Sequence, residues 1–135
     1  MKTDSSKINA TAFAPILYLS NVADAIEFYK KAFDARELRR WSNPDGSVHV
    51  AEMIIEAALF HLHEEVSRDY EFSPMTLGGT TVVIGLFVAN PDEVAAKAIA
   101  AGATERTPVK DYDYGYRQGD ITDPFGHRWT IEKSI

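Results

Sequence analysis

Two hydrophobic periods alternate along this chain, and the switches between them mark out its elements. Phe13 to Leu19 is an apolar run of strand length, closed by Ser20-Asn21, both good helix N-caps. From Val22 the apolar residues fall at Val22, Ala25, Ile26, Tyr29, Ala32 and Phe33. That spacing gathers them on one helical stripe and leaves Glu27, Lys30 and Lys31 to water. Arg36 to Trp41 reads as a short strand, Asn43-Pro44-Asp45-Gly46 as a turn, and Ser47 to Ile55 as renewed extended chain. Glu56-Ala57 then turns the chain into Ala58 to His63, a strand that sends Phe60 and Leu62 to one face and His61 and His63 to the other.

Glu64 to Gly79 is polar, holds Pro74 and Gly78-Gly79, and reads as a linker within one domain. The pattern then repeats. Val82 to Ala89 is a strand; Asn90-Pro91-Asp92-Glu93 joins an N-cap to a proline at the first helical position and a glutamate at the third. Val94, Ala95, Ala98 and Ile99 supply the apolar stripe, and Gly102 ends the helix. A short strand over Thr104 to Pro108, an aromatic-acidic loop over Asp111 to Gly115, a strand over Tyr116 to Thr122, the turn Asp123-Pro124-Phe125-Gly126 and a last strand over His127 to Lys133 complete the chain. Leu17-Tyr18-Leu19-Ser20-Asn21 superimposes on Leu86-Phe87-Val88-Ala89-Asn90, so a strand-helix-strand-strand-strand unit is duplicated. The predicted fold class is α+β: two tandem βαβββ modules forming curved mixed sheets around a concave cavity. One helix covers only one face of its sheet, so the other face is where a ligand belongs. The expected organisation is a single domain over residues 1–135, with module one over 13–65, a linker over 66–80 and module two over 81–135.

Composition narrows the function. At 135 residues, 45% hydrophobic and 25% charged, the chain has the make-up of one folded domain. It has no cysteine, which excludes disulfides, zinc thiolates and thiol nucleophiles. Fourteen Lys and Arg against 20 Asp and Glu give a formal charge of -6, which repels nucleic acid and anionic membranes and mildly favours cations. Met1 to Ser6 is polar, and no window approaches the roughly 18 apolar residues of a spanning helix. The expectation is a cytoplasmic protein. Walker, dinucleotide-glycine, Gly-x-Ser-x-Gly and His-Glu-x-x-His motifs are all missing, so nucleotide hydrolysis, nicotinamide redox and serine acyl transfer have no support.

Several segments together carry a family resemblance. They are Ala25-Ile26-Glu27-Phe28-Tyr29-Lys30-Lys31-Ala32-Phe33, Ala51-Glu52-Met53, Ser73-Pro74 with Leu77-Gly78-Gly79, Tyr114-Gly115-Tyr116-Arg117, and Asp123 to Trp129. Through these the chain resembles the vicinal oxygen chelate superfamily of glyoxalase I, extradiol dioxygenases and bleomycin resistance proteins, and most closely its PhnB-like branch. The resemblance implies tandem modules, a homodimer and a small-molecule cavity. In metal-dependent members four inward ligands, His, Gln or Glu, come from the first and last strand of each module. Carried onto this chain, those positions fall on Ala14 or Pro15, on His61, near Val83 and on Thr130, which leaves one competent ligand. The expectation is a protein with no cofactor and without the four-ligand metal. A displaced divalent ion, if present, would use His61, His63 and Glu132.

The expected ligand-lining residues are Tyr18, His61, His63, Phe87, Arg117, Thr130 and Glu132. Tyr18 and Phe87 hold equivalent strand positions and offer rings for stacking, or else fill the barrel. The His-x-His pair and Glu132 offer polar selectivity. Arg117 offers a two-pronged clamp for a carboxylate, or an ion pair with Asp120 or Asp123. The tyrosine-rich loop over Asp111 to Tyr116 offers a lid or a cradle for a cation, or is a solvated turn. Trp129 is read as core. The leading function is small-molecule binding or sequestration. The alternatives are a lyase, isomerase or dioxygenase-type enzyme using the displaced metal or a His61 and Glu132 acid-base pair, and a non-catalytic interaction dimer.

Overall fold

A computed structural model describes residues 10–66 and 70–135. The chain divides into two compact units, one of residues 1–30 with 34–73 and the other of residues 31–33 with 74–135. Each unit holds one four-stranded mixed sheet that stays open.

The first sheet is built from β1 (Ile16–Leu19), β2 (Arg36–Ser42), β3 (Val48–Ile55) and β4 (Ala58–Glu64), in the order β1-β4-β3-β2. β1 runs parallel to β4 and the other pairs are antiparallel. Helix α1 (Val22–Phe33) connects β1 to β2. Its start is set by Asn21, whose side chain accepts the Asp24 N–H at 3.0 Å, and its end by Asp34 in the left-handed conformation. The stripe Val22, Ala25, Ile26, Tyr29 and Ala32 is fully buried or nearly so, and Tyr29 meets Phe60 of β4 edge to face at 5.5 Å. Leu17, Leu19, Ala51, Met53, Phe60 and Leu62 form the buried side of the sheet. β1 is shorter than the apolar run that announced it: Phe13 is fully exposed, and pairing begins only at Ile16. The turn between β3 and β4 places Glu56 at φ 52.

The second sheet repeats the plan. β5 (Val83–Phe87), β6 (Thr104–Tyr112), β7 (Tyr116–Thr122) and β8 (Arg128–Ser134) lie in the order β5-β8-β7-β6. Helix α3 (Pro91–Ala101) starts at Asn90, whose side chain accepts from the Glu93 N–H, and ends at Gly102 with φ 128. It lies against β6, β7 and β8, over buried Ile121, Trp129 and Ile131. A short helix, α2 (Pro74–Leu77), sits in what the sequence reads as plain linker. β6 is also longer than expected, because Asp111 and Tyr112 pair with Arg117 and Tyr116. The expected loop is therefore a tight hairpin around Gly115 at φ 97.

Two hairpins use one loop design. In Asn43-Pro44-Asp45-Gly46 and in Asp123-Pro124-Phe125-Gly126 the fourth residue is a glycine at φ 90 that donates back to the first residue. In the second loop the Asp123 carboxylate also accepts from the N–H groups of Phe125 and His127 and from the Trp129 indole at 3.0 Å. Trp129 is core, 2% exposed. Among the described residues no helix is long and apolar enough to cross a membrane.

Candidate ligand-binding site

Strand alternation sorts the chemistry-bearing residues by face. In the first sheet Leu17, Leu19, Phe60 and Leu62 point to the α1 side, so Tyr18, His61 and His63 share the opposite one. Tyr18 is paired with His63 across the parallel β1–β4 ladder, and their rings meet edge-on at 5.7 Å. His61 and His63 stack at 6.1 Å. Partial burial, reinforced by the neighbouring imidazoles of His61 and His49, lowers the pKa of His63, so its ring favours the neutral form. The register adds Ile16, Val50, Glu52, Arg39 and Trp41 to this face.

Glu52 is the residue of this face that sequence reasoning passed over. It is 5% exposed, yet its Oε1 accepts from Arg39 at 2.6 Å and its Oε2 is buried without a partner among the described residues. The signal was present in the sequence. Val-His-Val-Ala-Glu-Met-Ile-Ile is a central strand with a lone carboxylate in an apolar setting, which is costly unless a partner meets it.

In the second sheet Phe87, Thr130 and Glu132 share the face away from α3. Phe87 is 60% exposed and touches Tyr116 edge-on at 5.9 Å. The aromatic contacts continue through Tyr114 to Tyr112, where the Lys110 ammonium lies 5.0 Å from the ring centre. The Tyr114 hydroxyl is joined to Gln118, whose amide donates to Glu132 at 2.8 Å. Desolvation first, and then the nearby Tyr112, Asp120, Asp113 and Glu132, raise the pKa of the Tyr114 hydroxyl. Gly85 makes room for Glu132, since a Cβ there would stand 2.7 Å from its Oε2. Thr130 donates to Asp120 at 2.6 Å, and Thr107 donates to the other Asp120 oxygen at 2.8 Å.

Two expectations need correction. Arg117 pairs with neither Asp120 nor Asp123. It lies on the α3 side of β7, in step with Gly119 and Ile121, where it grips Asp92 of α3 through two bonds of 2.7 Å and Asp111 through one of 3.0 Å. Asp120 lies on the opposite face and Asp123 is spent on its turn, so strand parity decides the partner. The family's first-strand positions also shift. Ile16, not Ala14 or Pro15, stands beside His61, and the position expected near Val83 is taken by Gly85, which stands beside Thr130. A sec-butyl side chain, an imidazole, a hydrogen and a hydroxyl are not a donor set for a divalent ion, so the residues at these positions do not fit the superfamily's metal. The displaced set would draw His61 and His63 from β4 of one unit and Glu132 from β8 of the other.

The duplicated βαβββ units with their open, chemically decorated sheet faces define a glyoxalase-type fold. The profile of the Glyoxalase/Bleomycin resistance protein/Dioxygenase superfamily matches residues 7–131, and the chain belongs to that superfamily. It is 38% identical over 136 residues to an uncharacterised protein of Mycobacterium tuberculosis, covering 98% of this chain and 80% of that one. A similar protein of Mycobacterium bovis is 39% identical over 127 residues, covering 92% and 84%. Among solved structures, TioX from Micromonospora sp. ML1 superimposes with a TM-score of 0.74 at 23% identity, covering 93% of this chain and all of that one. An Arabidopsis thaliana gene product gives 0.70 at 29%, covering 92% and 99%. The fosfomycin resistance protein FosX of Listeria monocytogenes, complexed with Mn(II) and sulfate, gives 0.67 at 14%, covering 96% and 93%.

Proposed function

We propose that this chain is a cytoplasmic, PhnB-like small-molecule-binding protein. It takes an organic ligand on the sheet faces turned away from the helices, acts as a homodimer, and does without the superfamily's four-ligand metal. The observation that carries the reading is the open face of the first sheet, where Tyr18, His61 and His63 stand together with their rings in contact. Such a surface combines flat apolar contact with a few directional polar groups, the make-up of ligand sites in general. Phe87, Thr130 and Glu132 supply a second lining of the same kind in the other unit. Arg117 drops out of the lining, because two carboxylates already hold it on the helix side.

The donor sets described above support binding without metal. FosX is described as a manganese-bound resistance protein, and a metal-dependent enzyme is the reading to be tested against ours. Protein purified without chelator or a histidine tag is analysed for metal by plasma mass spectrometry, and small aromatic compounds are screened by thermal shift with and without chelator. We expect ligand-induced shifts that chelator leaves intact and that His61→Ala and Tyr18→Ala abolish. Roughly one tightly held ion per chain, with turnover that chelator stops, overturns the proposal. Light scattering that finds a 15.0 kDa particle at micromolar concentration overturns the dimer.

A further inference from the structure

The first sheet's open face is ordered in two rows. One row, read across the strands, is Ile16, His61, Glu52 and Arg39; the next, two residues along, is Tyr18, His63, Val50 and Trp41. The rows lie about 7 Å apart along the strand direction. The first row holds an unfinished hydrogen-bond arrangement. Glu52 is buried, one oxygen is taken by Arg39, and among the described residues nothing donates to the other. An ionised carboxylate has acceptor capacity for about four donors, and a buried acceptor left empty is destabilising. The second row is flat and largely aromatic, with half-exposed Trp41 under the Arg39 guanidinium at 5.1 Å.

We propose that Glu52 is the polar anchor of this face, and that its free oxygen accepts a hydrogen bond from a cationic aromatic ligand of the amine or amidine class. The ring of the ligand lies over the Tyr18, His63 and Trp41 row while its N–H reaches one row across to Glu52. Arg39 already donates to Oε1 at 2.6 Å, and a carboxylate acceptor in a partly dehydrated site favours a charged N–H donor over a neutral one. The Arg39 side chain is 54% exposed against 6% for Glu52, so it is the part able to yield when the ligand enters. The net charge of -6 attracts cations to the same end. The inference rests on the reading of this face as a ligand surface, and its test separates the two.

The full-length protein is titrated with benzamidine, benzyl alcohol and benzoate, and backbone amide shifts are followed by NMR. We expect benzamidine to perturb Glu52, His61 and Val50 and to bind most tightly of the three. Glu52→Gln should raise its Kd about tenfold or more, while the binding of benzyl alcohol barely changes. Benzamidine binding equally well to Glu52→Gln, or perturbing only the second sheet, overturns the anchor. Benzyl alcohol binding at Tyr18 and His63 with no Glu52-dependent gain for benzamidine overturns the anchor and leaves the ligand face standing. No perturbation of Tyr18 or His63 by any of the three overturns both. Should Glu52→Gln fail to fold, Glu52→Asp, which keeps the charge but withdraws it, must weaken benzamidine; an unchanged Kd in that variant overturns the proposal.

Discussion

Glu52 and Asp120 hold corresponding places in the two units: each is on the third strand of its module, on the face away from the helix. Each stands beside a last-strand residue, His61 or Thr130, and a second-strand residue, Arg39 or Thr107. In the second unit the site is closed. Asp120 accepts from two threonine hydroxyls, one on each oxygen, and Thr107 in turn accepts the Asp120 N–H. In the first unit threonine is replaced by arginine on one side and histidine on the other, and among the described residues one oxygen of Glu52 stays unmet. The duplicated scaffold thus carries one carboxylate as structure and the other with a bond still to make. A protein need not complete every polar group for its own stability where a ligand completes it.

The largest effect that bears on this comparison lies in the two cores beneath these sites. Trp129 and Phe60 hold equivalent last-strand positions, but only Trp129 is tied to a turn through its indole. Trp129→Ala should cost about 4 kcal/mol in chemical denaturation, through lost burial and a cavity. Phe60→Ala should cost about 3 kcal/mol, and a larger loss at Phe60 would reverse the expected order. Asp123→Ala follows at about 2–3 kcal/mol, because it strands the buried Trp129 N–H along with two backbone donors.

The carboxylates themselves give the sharper test. Asp120→Ala should lose about 1–2 kcal/mol, since two part-buried hydroxyls lose their acceptor. Glu52→Met should lose nothing or gain slightly, because it removes an acceptor that is only half used while Arg39 is exposed enough to be hydrated. Equal losses at the two sites, measured by urea unfolding, would break the distinction between a closed and an open site.

Near neutral pH the first unit contributes a pH dependence through His63. The His63 pKa is lowered in the folded protein by burial and by its imidazole neighbours, so the unfolded chain takes up the proton first. Its contribution to stability is therefore complete above the ordinary imidazole value of 6.5. It declines as the pH falls below that, until the native ring is protonated as well. His63→Gln should flatten the stability profile between about pH 7 and 5, and a profile identical to that of the parent would refute the assignment. The smallest effect is expected at Arg117→Ala. This loosens a solvent-exposed clip between α3 and β7, should lower the thermal midpoint slightly and only at low salt, and should leave benzamidine binding unchanged.

Much of this protein is legible in its sequence because the relevant forces are local. The α1 stripe, the Asn21 and Asn90 caps, Gly102 and the two Pro- and Gly-bearing turns announce themselves through periods and side chains a few residues apart, and so does the duplication. The alternation of His61 with His63, and of Thr130 with Glu132, also follows from the period of a strand. What the sequence does not settle is which strand lies beside which, and in what register. Register put Ile16 beside His61 and Gly85 beside Thr130, extended β6 through Tyr112, and set Glu52 between His61 and Arg39, while strand parity and the helix beside it sent Arg117 to Asp92. The strand pairings form through backbone ladders that carry no side-chain signature, and those of β1 with β4 and of β5 with β8 join residues more than forty positions apart. The kind of element was therefore decided by neighbours in the sequence, and the chemistry of the site by neighbours across the sheet.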